Sequence, residues 1–389
     1  MVLFFASWSS RCCIASLLRR WVSLVSLVSL ASLVSQRMGD DTLDRDARIK
    51  LSIGTKQPGD ADGQFYNPNG LTFDHHRGLL FVSEYNNNRL QVLSCDSNDA
   101  YSLVSKFGEQ GSQPGQFQHP YGIAIDHDHD RILIVDNGNH RVQSWSLSEQ
   151  SFVSCIGHRG SGDLEFYYPQ GIAIDKHHHR IIVADSENNR LVFLSSIDLS
   201  LLFEIGKKGS RPGELHYPMS IAIDDDRHRI VVCDTLNNRV QVLSSIDGSF
   251  LFEFGSLGDQ PGQLKYPRGM CIDNQGRIIV AEYFNHRLQS FTHDGHHISS
   301  FDCGREKPVV VAFDEHRGLI AFTAGHRVHV IGANQWLADT FMWRPDRHRH
   351  APSWMKQAVS TMTMIRSLVD ESAMSMIPNE LLFEIFSFL

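Results

Sequence analysis

The sequence predicts an all-β chain, a six-bladed β-propeller whose ring is closed by an N-terminal strand, followed by a short helical tail. Three observations carry this. Pro68, Pro120, Pro169, Pro218 and Pro267 stand 52, 49, 49 and 49 residues apart, and each opens the same run of residue types. Such a period, filled with short apolar runs, marks a radial or stacked array. Each copy holds four apolar runs parted by polar turns, the content of a propeller blade rather than of a β-helix. Finally, the last copy lacks its fourth run, and a matching run stands at the other end of the chain.

The third copy illustrates one blade. Pro169-Gln-Gly-Ile-Ala-Ile-Asp175 reads as an innermost strand buried on both faces. A polar turn leads to Arg180-Ile-Ile-Val-Ala-Asp185, and Arg190-Leu-Val-Phe-Leu194 alternates as a third strand. Leu201-Leu-Phe-Glu-Ile-Gly206 is the aromatic fourth strand, and a Gly/Pro loop feeds the next copy. The sixth copy begins at Pro308 and continues through Gly318 to Phe322 and His326 to Ile331. Its missing strand is Arg48-Ile-Lys-Leu-Ser-Ile-Gly54, which is followed by the same Gln-Pro-Gly loop. Closure of this kind removes an unpaired sheet edge.

The flanks differ in composition. Residues 1–39 read as a disordered or targeting-like extension, with four Arg and no acid up to residue 37. Its serine-laced apolar stretch is too short for a spanning helix. A signal sequence, a mitochondrial presequence and a translated upstream extension with Met38 as the working start all fit it. Residues 343–354 read as a Pro/Arg/His-rich linker and 355–389 as a helical tail. The formal charge is −8, which leaves −12 outside residues 1–37. An acidic body argues against DNA. Seven scattered cysteines without a CxxC give neither a disulfide framework nor a zinc site. The expected location is therefore cytoplasmic, or secreted or mitochondrial if residues 1–37 are a targeting segment; membrane association is not expected.

At Asn137-Gly-Asn-His140-Arg141-Val142, Asn285-His286-Arg287-Leu288, Asn188-Asn189-Arg190-Leu191 and Asn237-Asn238-Arg239-Val240 the chain resembles the NHL-repeat family. The resemblance covers 47–332 and implies a six-bladed propeller. It also implies three kinds of activity: substrate recruitment in ubiquitin ligases, single-stranded RNA binding, and zinc-dependent peptidyl-hydroxyglycine lyase chemistry. In the tail, Pro378, Glu380, Leu381, Leu382, Ile385 and Leu389 are similar to the opening of an F-box, and the chain stops before that motif would be complete. Pro378, Leu381, Leu382, Ile385 and Leu389 would form a docking helix for a ubiquitin-ligase adaptor.

An acid recurs five residues before an arginine in Glu84/Arg89, Asp136/Arg141, Asp185/Arg190, Asp234/Arg239 and Glu282/Arg287, with Thr323 at that place in the sixth copy. Five equivalent copies indicate a structural pair tying down a turn rather than acid–base chemistry. His127, His129 and His177 to His179 sit on hairpin tips expected to splay outward, so no metal site is expected. The residues following the prolines, Asn69, Tyr121, Gln170, Met219, Arg268 and Val309, include no His and no carboxylate. Nucleophile-elbow and phosphate-loop patterns are missing as well. The expectation is thus no catalytic residue, no cofactor and no enzyme, at most a non-catalytic part of a ubiquitin ligase. Recognition is placed on the proline-loop face, at Tyr85, Tyr121, Arg268, Tyr283 and Phe284, with Lys265 nearby. The expected partner is a protein or ligase substrate, with RNA as the alternative. Tyr168, Tyr217 and Tyr266, each before its proline, are expected to be loop-packing residues.

Overall fold

The computed structural model describes residues 49–96, 100–333 and 336. They form six four-stranded antiparallel sheets arranged as the blades of a propeller. Blade 1 comprises Pro68–Asp74, Leu79–Glu84, Arg89–Cys95 and Tyr101–Phe107. Blade 2 comprises Pro120–Asp126, Arg131–Asp136, Arg141–Ser146 and Phe152–Ile156. Blade 3 runs from Pro169–Asp175 to Leu201–Ile205, blade 4 from Pro218–Asp224 to Phe250–Phe254, and blade 5 from Pro267–Ile272 to His297–Asp302. Blade 6 takes Pro308–Asp314, Leu319–Ala324 and Arg327–Gly332 from the end of the ring, and Ile49–Gly54 from its beginning. The closing strand pairs antiparallel with its neighbour, from Ile49 opposite Ile331 to Gly54 opposite Arg327. The extension, the linker and the F-box-like docking helix lie outside the described residues. Among those residues no helix is long and apolar enough to cross a membrane.

The core lies between blades. Phe193 of blade 3 packs in one cluster with Ile221, Ile230 and Leu243 of blade 4, and the equivalent sandwich repeats around the ring. Phe65, Phe117, Phe166, Leu215 and Leu264, one from each Gly/Pro loop, are fully buried plugs between neighbours. At the axis the innermost strands approach so closely that side chains are excluded at one position. A Cβ on Gly122 would stand 2.4 Å from the Gln170 carbonyl oxygen, and one on Gly171 would stand 2.6 Å from that of Met219.

The recurring acid–arginine pairs are buried brackets. Asp136 accepts from the Gln118 amide (2.7 Å), Asn139 Nδ2 (2.8 Å), Arg141 Nε (2.7 Å) and Gln143 Nε2 (2.9 Å). Arg141 in turn donates to the carbonyls of Ser112, Gln113 and Gln116 in the Gly/Pro loop. One carboxylate therefore organises a whole loop, as burial of an ionised group requires.

Two expectations need correcting. In blade 6 the position of the acid belongs to Ala324, not Thr323, because Ala324 pairs with Pro308 and with Arg327. The turn is two residues shorter there, and Arg327 and His329 bind Glu306 from the preceding loop instead. The histidine tips do not simply splay. His76 stacks on His127 of the next blade at 3.9 Å, and His177 meets His228 at 4.8 Å. Blade twist brings neighbouring hairpin tips together at this face.

Candidate functional site: an aromatic mouth floored by an arginine

On the opposite face the proline loops and the second-to-third-strand loops surround a cavity of about 870 Å³. Three repeated positions build it. The residues after the prolines, Asn69, Tyr121, Gln170, Met219, Arg268 and Val309, form its floor and also line the 340 Å³ axial channel beneath. The residues before the prolines contribute Asn67, Tyr168, Tyr217, Tyr266 and Lys307. The residues after the second strands contribute Tyr85, Asn137, Glu187, Tyr283 and Phe284. Tyr85, Tyr121, Arg268, Tyr283 and Phe284, predicted from sequence, thus share one concavity.

Tyr168, Tyr217 and Tyr266 are not merely packed into loops; they are walls of the mouth. Each adopts a left-handed backbone, with φ of 48°, 58° and 58°. A bulky residue there is strained and needs surrounding support. The support comes from the signature residue of the preceding blade. His140 Nδ1 accepts the Tyr168 amide at 3.0 Å, Asn189 Oδ1 that of Tyr217 at 3.0 Å, and Asn238 Oδ1 that of Tyr266 at 2.9 Å. The repeat's own Asn/His therefore aims the tyrosines.

Arg268 reaches across the axis from blade 5 to blade 2, directly opposite, where its guanidinium donates to the Tyr121 hydroxyl at 2.6 Å. The guanidinium carbon also stands 4.8 Å from the Tyr283 ring centroid and 6.0 Å from that of Tyr121. Burial alone would lower its pKa, but the phenols of Tyr121, Tyr266 and Tyr283 turn the net shift upward, so the charge is permanent. Lys307 Nζ lies 4.9 Å from the Tyr283 centroid and 5.4 Å from that of Phe284. Cation–π contacts of this kind hold both charges over aromatic faces. Burial pushes the phenols of Tyr85, Tyr217 and Tyr266 up, Tyr217 to about 12, so they act as neutral donors. Phe284 is 46% exposed at the rim.

The basic content of this face exceeds the sequence expectation. Lys56, Arg305, Lys307 and Arg327 join Arg268 in the mouth, whereas Lys265 does not line it. The additional cations come from the segment closing blade 6. Its degenerate repeat hid them, although Lys307 occupies the same place before its proline as the three tyrosines. Among the described residues, no group of three or more His, Cys, Asp or Glu side chains is arranged to hold a metal ion.

Residues 117–144 and 166–192 match the NHL repeat, and residues 210–325 match the SMP-30/Gluconolactonase/LRE-like region. Among solved structures, the fold is similar to a gluconolactonase from Xanthomonas campestris, at 14% identity and a TM-score of 0.54 over 73% of this chain and 96% of that one. A streptogramin B lyase is similar at 14% identity and a TM-score of 0.50, over 72% and 96% of the two chains. A structural-genomics protein of unknown function from Bacteroides thetaiotaomicron is similar at 16% identity and a TM-score of 0.51, over 72% and 73%.

These matches overturn the expectation that the chain is not an enzyme. Residues 210–325 match a family model whose description includes a gluconolactonase, and solved propellers of similar fold include a gluconolactonase and a streptogramin B lyase. The physical reason is that a propeller site takes single residues from loops about fifty positions apart, so it leaves no contiguous catalytic motif to find or miss. Repeat sequence, blade count and strand closure agree: the chain is a six-bladed β-propeller that carries NHL repeats.

Proposed function

We propose that the propeller is a recognition scaffold that takes a segment of a protein partner into its aromatic mouth. The observation that carries this reading is the convergence of Tyr85, Tyr121, Arg268, Tyr283 and Phe284 on one cavity. Tyrosines supply large contact area at small entropic cost, and an arginine among them gives direction; this is the composition of binding hot spots. A ubiquitin-ligase setting is supported by the F-box-like sequence at 377–389, which the described structure does not reach. The test is affinity capture with wild type against the triple variant Tyr121→Ala/Arg268→Ala/Tyr283→Ala; unchanged partners would sink the proposed face.

A second reading, single-stranded RNA, is supported by Arg268 and Lys307 lying over aromatic rings. Stacking beside cations is how such strands are held. RNA binding would weaken steeply with added salt, in proportion to the number of phosphates neutralised. A zinc-dependent lyase reading has less support, because the floor residues offer no His or carboxylate ligand.

A further inference from the structure

The mouth contains two cations, Arg268 and Lys307, that have no ion-pair partner among the described residues. Most guanidinium groups set into the blades meet carboxylates, as Arg89 meets Glu84, Arg131 meets Asp126, Arg141 meets Asp136 and Arg239 meets Asp234, all within 2.8 Å; half-buried Arg229 instead donates to the His293 carbonyl. Arg268 is half-buried, and among the described residues no carboxylate lies within ion-pair distance of it. The same holds for exposed Lys307. Both cations stand over Tyr283, at 4.8 and 4.9 Å from its centroid, so they lie no further apart than the sum of those distances. Glu306, the nearest acid in sequence, already serves Arg327 and His329. Glu187 of blade 3 lines the same mouth, within electrostatic reach of Tyr217 and Tyr266, but makes no ion pair with either cation.

The floor also holds unmatched hydrogen-bonding capacity. Arg268 Nε and Gln170 Oε1 are buried without a partner, one a donor and one an acceptor in the same layer. Orphaned polar groups are costly and are uncommon in a settled interior. The Tyr121 hydroxyl accepts from Arg268 and keeps its own proton to donate.

We infer that this floor is a carboxylate subsite, with Arg268 and Lys307 supplying the charge and the Tyr121 hydroxyl a further donor. The inference rests on the reading of the mouth as a binding site for a protein segment. The carboxylate is the C-terminus of that segment or an Asp/Glu side chain, and an adjacent aromatic or other flat side chain lies against the tyrosine wall. A guanidinium fork suits a carboxylate and gives it orientation as well as charge. Arg268 and Lys307 face the same ring, which suits one carboxylate between them, while Lys56 and Arg305 are further cations of the mouth. A nucleic-acid strand needs a track of cations, and Glu187 across the mouth opposes one.

The test uses the full chain and four probes followed by titration calorimetry or ligand-observed NMR. They are N-acetyl-phenylalanine, its amide, N-acetyl-glutamyl-phenylalaninamide and uridine 5′-monophosphate. Tighter binding of the first or third probe than of the amide, by roughly tenfold or more, supports the subsite, and which of the two wins identifies the carboxylate's source. Arg268→Gln should abolish that preference. If Arg268→Gln fails to fold, Lys307→Gln and Tyr121→Phe should each reduce it, since Lys307 is exposed and the phenylalanine keeps the ring. Equal binding of acid and amide, a preference that survives these variants, tighter binding of the nucleotide, or no binding at millimolar probe would each overturn the inference. If partner capture is lost in Tyr283→Ala while acid and amide probes bind alike, the subsite fails and the protein-binding reading stands. If capture is indifferent to every mouth variant, that reading fails instead.

Discussion

Removing the carboxylate at equivalent positions of two blades should have unequal costs, and the reason lies in one neighbouring residue. Asp234 in blade 4 accepts four hydrogen bonds, from the His216 amide, Asn237, Arg239 and Gln241, just as Asp136 does in blade 2. Both carboxylates are fully buried, and the arginine side chains are 7% and 9% exposed. Arg239, however, has a second carboxylate, Glu253 at 2.6 Å, whereas Cys155 occupies the matching place beside Arg141. Breaking a buried pair by deleting one partner costs about 3–5 kcal/mol, because a buried charge is left uncompensated. Asp136→Ala should fall near the top of that range, at about 4–5 kcal/mol, and Asp234→Ala near the bottom, at about 3 kcal/mol, since Glu253 still neutralises Arg239. Urea unfolding of the full chain, followed by tryptophan fluorescence and circular dichroism, measures both. Equal costs, the reverse order, or a cost below about 1 kcal/mol for either would refute the bracket argument. The double variant Asp234→Ala/Glu253→Ala should then lose about as much as Asp136→Ala.

Three further outcomes are expected. Burial, then the nearby Arg159 charge, holds the His140 pKa below its usual value, with Asp136 opposing, and burial does the same for His326. The unfolded chain therefore binds more protons, so their contribution is complete above about pH 6.5 and is lost as pH falls through and below it. Unfolding midpoints should drop between pH 7.5 and 5.5, and His140→Asn should flatten the drop, because Asn189 and Asn238 already do the same task without titrating; a profile unchanged by the substitution would count against it. Gly171→Ala should destabilise by about 1–3 kcal/mol in thermal unfolding, as overpacking against a backbone oxygen does, whereas Gly63→Ala, with nothing near its Cβ, should cost only the strain of its positive φ. Deleting Ile49–Gly54 should expose the edge of blade 6 and produce aggregation visible by light scattering; a monomeric, fully stable product would contradict the closing role of that strand.

Much of the architecture was legible because each blade restates it. Prolines at a fixed period, β-branched runs and the stray strand before Gly54 are local signals that fix blade number and closure without any long-range information. The mouth was legible only in part. Tyr85, Tyr121, Arg268, Tyr283 and Phe284 follow from placing repeat positions on a common face, but the pairing of Arg268 with Tyr121 joins residues 147 positions apart on opposite blades. No local pattern encodes that reach. Lys307 and Glu306 were hidden because blade 6 departs from the repeat; the spacing from Pro267 to Glu282 in blade 5 leads from Pro308 to Thr323, whereas the spacing of blades 1 to 4, one residue longer, leads to Ala324, which the strand pairing bears out. The walls formed by Tyr168, Tyr217 and Tyr266 could have been recognised had their left-handed backbone been foreseen. That conformation is imposed by the Asn or His of the preceding blade and is invisible in a single copy.

The pairing of Ile49 with Ile331 also sets a timetable for biosynthesis. The strand that seals the ring is made before any complete blade, yet its partner in the chain arrives 282 residues later. At translation rates of about 5–20 residues per second, that interval is on the order of tens of seconds. Throughout it, the nascent chain carries a β-strand with no mate and a growing arc of blades with a raw edge at either end. The slowest and most vulnerable event in making this molecule is then its last, a contact of very high sequence separation that is formed only after the ribosome has passed residue 331.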